Sequence, residues 1–381
     1  MGKIFYVKKK FGKSYLVWFQ NSNLYFYLEE PAWYVFRKTV KRHKSERIAN
    51  EFSNRYGLSY KDSLNFVVEV RQKIKELNQT SNRKKYIDKF ADKINKQVSS
   101  PYSSHSYNMQ KKIIEFSYET SELENFIHPL IKHIETTEEF KDKSHFELFT
   151  YKNKVVFKVD NAFKGSWAKD ESEFVKGRVF VELLNVLHNK TEADWLMTVH
   201  ASAISNGRKT ILFSAAPGSG KTTFAALLQT QGYHIISDDF VPIEQSTFKA
   251  YPLPVAMSVK EGSLELLTSH YPELEEKSVV KINSKKKVKY LPVDTKMMNM
   301  IFPVNEFVFI KYDSSVDILL EKVEPIEALK KLFEEAWIPP AAENVAIFLD
   351  KILNASFYTL TYSNNQMAIE AINQIFENDP K

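Results

Sequence analysis

The sequence predicts an α/β protein of more than one domain, and three observations carry that expectation. Strand-like and helix-like patterns alternate from about residue 113 to the end, too regularly for an all-α or all-β chain. Within that region a β-branched apolar run, Thr210 to Ser214, leads through a small-residue loop into a helical pattern and then a second apolar strand. The first 80 residues differ in kind. They hold 16 Lys and Arg against 7 Asp and Glu, a charge of +9, although the whole chain carries only +6.

Composition excludes several classes. The 381 residues are 43% hydrophobic and 14% aromatic, enough for two or three buried cores and against wholesale disorder. With no cysteine there are no disulfides, no thiolate chemistry and no Cys-ligated zinc, and the nine histidines show no metal-ligand spacing. No run of about 18 uncharged apolar residues occurs and the start of the chain lacks a signal-type apolar stretch, so no membrane partner and a cytoplasmic location are expected. The Lys-, Asn- and Phe-rich composition points to a bacterial source.

In order along the chain, IFYV, YLVWF and LYFYL alternate as two or three short strands separated by KKKFGK and QNSN turns. Helical spacing follows in Pro31–Thr39 and from Ser45 to Phe52, with Gly57 closing the second helix and Ser59-x-x-Asp62 capping a third that presents Leu64, Val67, Val68 and Ile74. Strands plus three helices predict a small winged-helix-like α+β domain over 1–80. The words LEEPAWYVFRKTV, ERIANEF and YGLS resemble the PqqD-type domain, which implies a grip on the leader of a ribosomally made precursor peptide, as in RiPP biosynthesis. The alternative is a helix-turn-helix steered to nucleic acid by its charge. The third helix, Tyr60 to Lys75, offers few Arg, Lys, Asn or Gln for base edges, which favours peptide.

Residues 81–112 turn polar, with a charged helix-like patch YIDKFADKINKQ and the serine-rich VSSPYSSHSYNMQKK, and read as a linker region. From 113 to 199 a β-rich lead-in is expected: IIEFSY, FELFTY and VVFKVD as strands, LENFIHPLIKHIE and Glu173–His188 as helices. His128, His133 and His188 lie in helical patterns and read as packing or surface residues.

His200 to Pro242 carries the chemistry. Backbone N–H groups that point at a polyphosphate need residues without side-chain bulk and a helix N-terminus behind them, which Pro217-Gly218-Ser219-Gly220-Lys221-Thr222 supplies. Lys221 adds a positive charge, Thr222 a hydroxyl for Mg²⁺, and Thr223 continues the first turn. Against G-x-x-x-x-G-K-[ST] the first glycine is replaced by Ala215. The next strand, YHIISDDF, ends in Asp238 and Asp239. Those carboxylates return to the loop's end of the sheet, where one can hold the metal and the other take a proton.

The segment resembles HPr kinase/phosphorylase and its relatives, within the HPr-kinase/PEP-carboxykinase-like P-loop class. The resemblance lies in a histidine 21 positions before the loop lysine (His200, in VHASAI), the loop itself, and an aliphatic strand ending in Asp-Asp. It implies ATP and Mg²⁺ as cofactors, Asp238 as base for a serine hydroxyl, His200 in its support, and Thr222 with Asp239 on the metal. Lys260 stands roughly where those kinases keep an arginine, and becomes a candidate phosphate contact. Their downstream metal-binding glutamate has no clear equivalent here.

Beyond Lys260, Lys285-Lys286-Lys287 and Lys289 read as a solvated hairpin or as a clamp on nucleotide or an acidic substrate. NEFVFIKYD, VDILLEKVEP and FYTLTY read as strands; IEALKKLFEEAWI, stopped by Pro339-Pro340, ENVAIFLDKILN and MAIEAINQIF as helices. The expected protein is an HPr-kinase-like serine/threonine kinase over 113–381 (nucleotide-binding core and C-terminal helices over 200–381), acting on a precursor peptide or protein. A homo-oligomer is compatible with this class. A nucleotide-gated DNA-binding regulator and a kinase of a small hydroxylated metabolite are the alternatives.

Overall fold

The structure is a computed structural model that describes residues 4–79, 94, 100–109, 112–138, 143–216, 218–282 and 287–377. It is a mixed α/β protein of two compact units: Met1–Tyr86 with Ile338–Leu353, and Ile87–Trp337 with Asn354–Lys381. The first unit thus takes a segment from far down the chain, where the sequence predicts one continuous C-terminal region.

In the first unit, strands β1 (Tyr6–Phe11), β2 (Ser14–Phe19) and β3 (Leu24–Leu28) form an antiparallel meander. Gly12, at φ +55, makes the first turn. Helices α1 (Glu30–Val40), α2 (Ser45–Tyr56) and α3 (Tyr60–Leu77) follow. Their ends match the sequence signals: Gly57 closes α2 in the left-handed region at φ +68, and the Ser59 hydroxyl accepts the Asp62 N–H at 3.1 Å. Val17, Phe19, Trp33, Phe36 and Ile74 pack one core, and Val35, Ile48, Phe52 and Val67 a second.

The second unit holds two larger sheets. The lead-in comprises β4 (Ser103–Met109), β5 (Lys112–Tyr118), α4 (Ser121–Ile131), β6 (Glu135–Thr136), β7 (Lys143–Tyr151), β8 (Lys154–Val159), β9 (Ala162–Ala168) and α5 (Ser172–His188). Its six strands run in the order β6-β4-β5-β7-β8-β9. Ser103–Met109, read from its serines as linker, is a strand: Tyr107 and Met109 are fully buried against the helices, and its pairing with β5 is not visible in local composition. The expected patch YIDKFADKINKQ lies outside the described residues, except for buried Ile94.

The nucleotide-binding region expected over 200–381 is built on a ten-stranded sheet. Its members are β10 (Trp195–Val199), β11 (Ala201–Ser205), β12 (Thr210–Ser214), β13 (His234–Ser237), β14 (Val241–Glu244), β15 (Lys249–Ala250) and, further on, β19 (Phe302–Tyr312), β20 (Ile318–Lys322), β21 (Ala336–Trp337) and β22 (Ser356–Tyr362). A small sheet of β16 (Met257–Lys260), β17 (Val280–Lys281) and β18 (Lys287–Leu291) stands beside it. Helices α6 (Lys221–Gln229), α7 (Glu261–Thr268), α8 (Pro325–Glu335) and α10 (Asn365–Glu377) belong to this unit, while α9 (Ala342–Lys351) belongs to the first. Every residue of β12 is buried, which is why it reads as a continuous apolar run rather than an alternating one.

Helix α9 lies along β1, with the fully buried Phe348 edge-on to Tyr25 at 6.5 Å and Asp350 paired to Lys9. Phe348→Ala should therefore cost the first unit about 3–5 kcal/mol. Hydrogen exchange of the full chain checks this: protection across residues 14–40 should fall in the variant while β12 and α6 keep theirs.

Candidate functional site

Three strand ends define the site. Strand β11 is antiparallel to β12, with Ala201 opposite Ser214, and antiparallel to β13, with Ala203 opposite Ser237. Two antiparallel steps give β12 and β13 the same direction. The end of β12, where the loop begins, the end of β13, where Asp238 and Asp239 follow, and the start of β11, preceded by His200, therefore lie together. His200 occupies the bend between β10 and β11, where its N–H donates to the Glu335 carbonyl at 2.7 Å.

Of the loop, Pro217 lies outside the described residues. Gly218 and Gly220 take φ +93 and +90, and an added Cβ would meet nothing at Gly218 and only the Tyr362 hydroxyl, at 3.6 Å, at Gly220. Backbone conformation, not crowding, requires glycine there. Ser219 is anchored by its N–H and hydroxyl, both donating to the Ala216 carbonyl. Helix α6 starts at Lys221, so the unsatisfied N–H groups and positive end of its first turn face the loop. Thr223 shares a hydrogen bond of 2.6 Å with Ser263 of α7.

Lys221 is buried and its ammonium donates to the Ala215 carbonyl. Burial pulls its pKa down, helped by the charge of Lys260 and opposed by Glu335, Asp239 and Asp238. Lys260 itself is exposed and precedes α7 without a side-chain capping bond.

The two aspartates take different places. Asp238 is 2% exposed; its Oδ2 accepts the Thr222 hydroxyl at 2.9 Å and its Oδ1 accepts the Ser202 hydroxyl. Burial first, and the neighbouring Asp239 carboxylate second, push its pKa up to about 7. Asp239 adopts φ +63, which an aspartate tolerates, and its side chain is 32% exposed. His200 Nδ1 donates to the Asp239 carbonyl at 3.0 Å and lies 4.0 Å from Asp239 Oδ1. The expected pairings are thereby exchanged: Thr222 meets Asp238 rather than Asp239, and His200 meets Asp239 rather than Asp238. Asp238 continues β13 into the sheet, whereas the left-handed turn at Asp239 carries the next side chain outward.

Three further residues contribute. Ser202 is fully buried and holds Asp238; its signal was a hydroxyl in the middle of the apolar VHASAI. Tyr362 closes the underside of Gly220 and packs on Phe224 at 5.1 Å. Glu335 is the carboxylate that acts most strongly on Lys221, and it comes from α8, more than a hundred residues away. The lysine run, read as a solvated hairpin or a clamp, leads into β18, which pairs antiparallel with β17 as in a hairpin. Lys287 pairs with Glu261 at 3.3 Å and Lys289 donates to the carbonyls of Leu274 and Glu275; Lys285 and Lys286 lie outside the described residues.

The raised Asp238 predicts a pH signature. Its unfolded pKa is near 3.9, so from about pH 4 to about pH 7 the folded state keeps a proton that the unfolded chain has released, and stability falls as pH rises. Asp238→Asn removes that loss and should be the more stable protein at about pH 8, by more than about 1 kcal/mol. Urea midpoints of both proteins across this range check it; equal pH slopes would mean that the carboxyl is already ionised when folded.

A comparison with protein-family profiles gives no match, and neither does one with curated proteins. Among solved structures the chain is similar to the Hpr(Ser) kinase/phosphatase from Coxiella burnetii, at 10% identity over 47% of this chain and 89% of that one, with a TM-score of 0.22. A likeness of that size carries no assignment of its own. Among the described residues no helix is long and apolar enough to cross a membrane.

Proposed function

We propose that the second unit is an ATP- and Mg²⁺-dependent kinase that phosphorylates a serine or threonine hydroxyl of a peptide or protein. The observation that carries this reading is the hydrogen bond from half-buried Thr222 to buried Asp238 at the start of α6, next to Lys221 and with the more exposed Asp239–His200 pair following Asp238. A hydroxyl and a carboxylate form the oxygen donor set that Mg²⁺ prefers, and the positive-φ glycines open the loop's backbone to a polyphosphate. When bound, ATP·Mg²⁺ supplies the phosphoryl group and the cation that offsets its charge.

In this reading Thr222 and Asp238 hold the metal, which reverses the assignment that family resemblance suggests. Lys221 leaves the Ala215 carbonyl for the β- and γ-phosphate oxygens, with Lys260 as a second cation. Asp239 accepts the proton of the attacking hydroxyl as its oxygen bonds to the γ-phosphorus and the bond to ADP breaks. His200 fixes the Asp239 turn through Nδ1. Carboxylate variants separate these roles. Asp239→Asn should lose about 10²- to 10⁴-fold in kcat with ATP·Mg²⁺ affinity near normal. Asp238→Asn, Thr222→Ala and Lys221→Ala should lose nucleotide affinity as well. Calorimetry beside turnover checks both; nucleotide affinity unchanged in the last three would refute the site.

The first unit would grip the leader of a precursor peptide. Against the nucleic-acid alternative stands Arg71, the one arginine of α3, whose guanidinium is spent on the His43 carbonyl and the Ser45 hydroxyl, both at 3.0 Å. Anisotropy of the full chain with the peptide encoded beside its gene, and with duplex DNA, distinguishes the two. Peptide binding should dominate; strongly salt-dependent DNA binding alone would favour the regulator.

A further inference from the structure

A second polar cluster lies in the six-stranded sheet and has no part in the phosphate site. His105 stands on β4, Glu124 and His128 share one face of α4 four residues apart, and Glu135 sits on β6, which pairs with β4. His105 Nδ1 is 2.6 Å from Glu135 Oε1, and its Nε2 is 2.9 Å from Glu124 Oε1. The ring of His128 stacks on that of His105 at 4.2 Å. One ligand atom from each of His105, His128 and Glu135 lies within 4.8 Å of the others. Behind them, the Ser103 hydroxyl donates to Glu124 Oε2 at 2.9 Å, and the buried Tyr107 hydroxyl meets His128 Nδ1 at 2.7 Å. A phenol donates or accepts, so it can serve the tautomer that frees His128 Nε2.

Two glutamates thus flank the ring nitrogens of His105, Glu135 at Nδ1 and Glu124 at Nε2. A divalent ion held by His105 Nδ1, His128 and Glu135 would leave the His105 Nε2–H on Glu124, the carboxylate–histidine arrangement that orients metal-bound imidazoles.

We infer that His105, His128 and Glu135, with Glu124 behind them, form a binding site for one divalent transition cation of the zinc class, tying α4 and β6 to the edge of the sheet. Imidazole nitrogens with carboxylate oxygens suit zinc, cobalt or nickel rather than magnesium or calcium.

The test uses the full chain, stripped with chelator and titrated with Co²⁺ and then Zn²⁺. One equivalent of Co²⁺ should give visible d–d bands that Zn²⁺ abolishes, and Zn²⁺ should raise the melting temperature. His128→Ala and Glu135→Gln should each weaken binding by more than about tenfold. Glu135 is exposed, so its variant keeps the fold and remains informative should His128→Ala fail to fold. Asp238→Asn should bind Co²⁺ as the wild type does, which separates this site from the proposed magnesium site. Absence of cobalt bands in the wild type, or affinity unchanged in Glu135→Gln and His128→Ala, would overturn the inference and leave His105 hydrogen-bonded between two glutamates.

Discussion

The buried carboxyl of Asp238 is the constraint around which the second unit is arranged. A carboxylate removed from water is costly unless it is neutralised, hydrogen-bonded or given a cation. Here two hydroxyls, Thr222 from the start of α6 and Ser202 from β11, partly satisfy it, and its pKa still rises. Those two bonds fix the first turn of α6 against the end of β13. Burial makes ionisation of this one carboxyl costly to the fold as pH rises.

Lys221 shows the complementary arrangement. Its ammonium is buried on a loop carbonyl, and three carboxylates oppose the downward pull of that burial on its pKa. One of them, Glu335, precedes β21, which pairs with β10 at Val199, directly before His200. Loop lysine, Asp239 turn and His200 bend are thus joined through backbone pairing as well as through side chains.

Much of this was legible in the sequence, for reasons that are local. β12 reads as a strand because every residue is buried and all but Ser214 are β-branched or apolar; α2 and α3 end and begin where Gly57 and Ser59 say they should. The glycines of the loop announce positive φ, and three polar features meet at one sheet end because β12 and β13 run one way and β11 the other. These signals depend on one to four neighbouring residues, which is the range over which caps, turns and period-2 patterns act.

Only the tertiary structure decided which aspartate faces Thr222, because a single left-handed residue determines on which side the second carboxylate emerges, and aspartate is compatible with either conformation. It alone turned Ser103–Met109 from apparent linker into a sheet strand, since pairing with β5 and burial under α4 are non-local. It alone gave α9 to the first unit, because an amphipathic helix records that it has an apolar face, not which core that face completes. The histidine–glutamate cluster was invisible for the same reason: its members come from β4, α4 and β6, and no spacing rule links residues that meet only when separate elements pack.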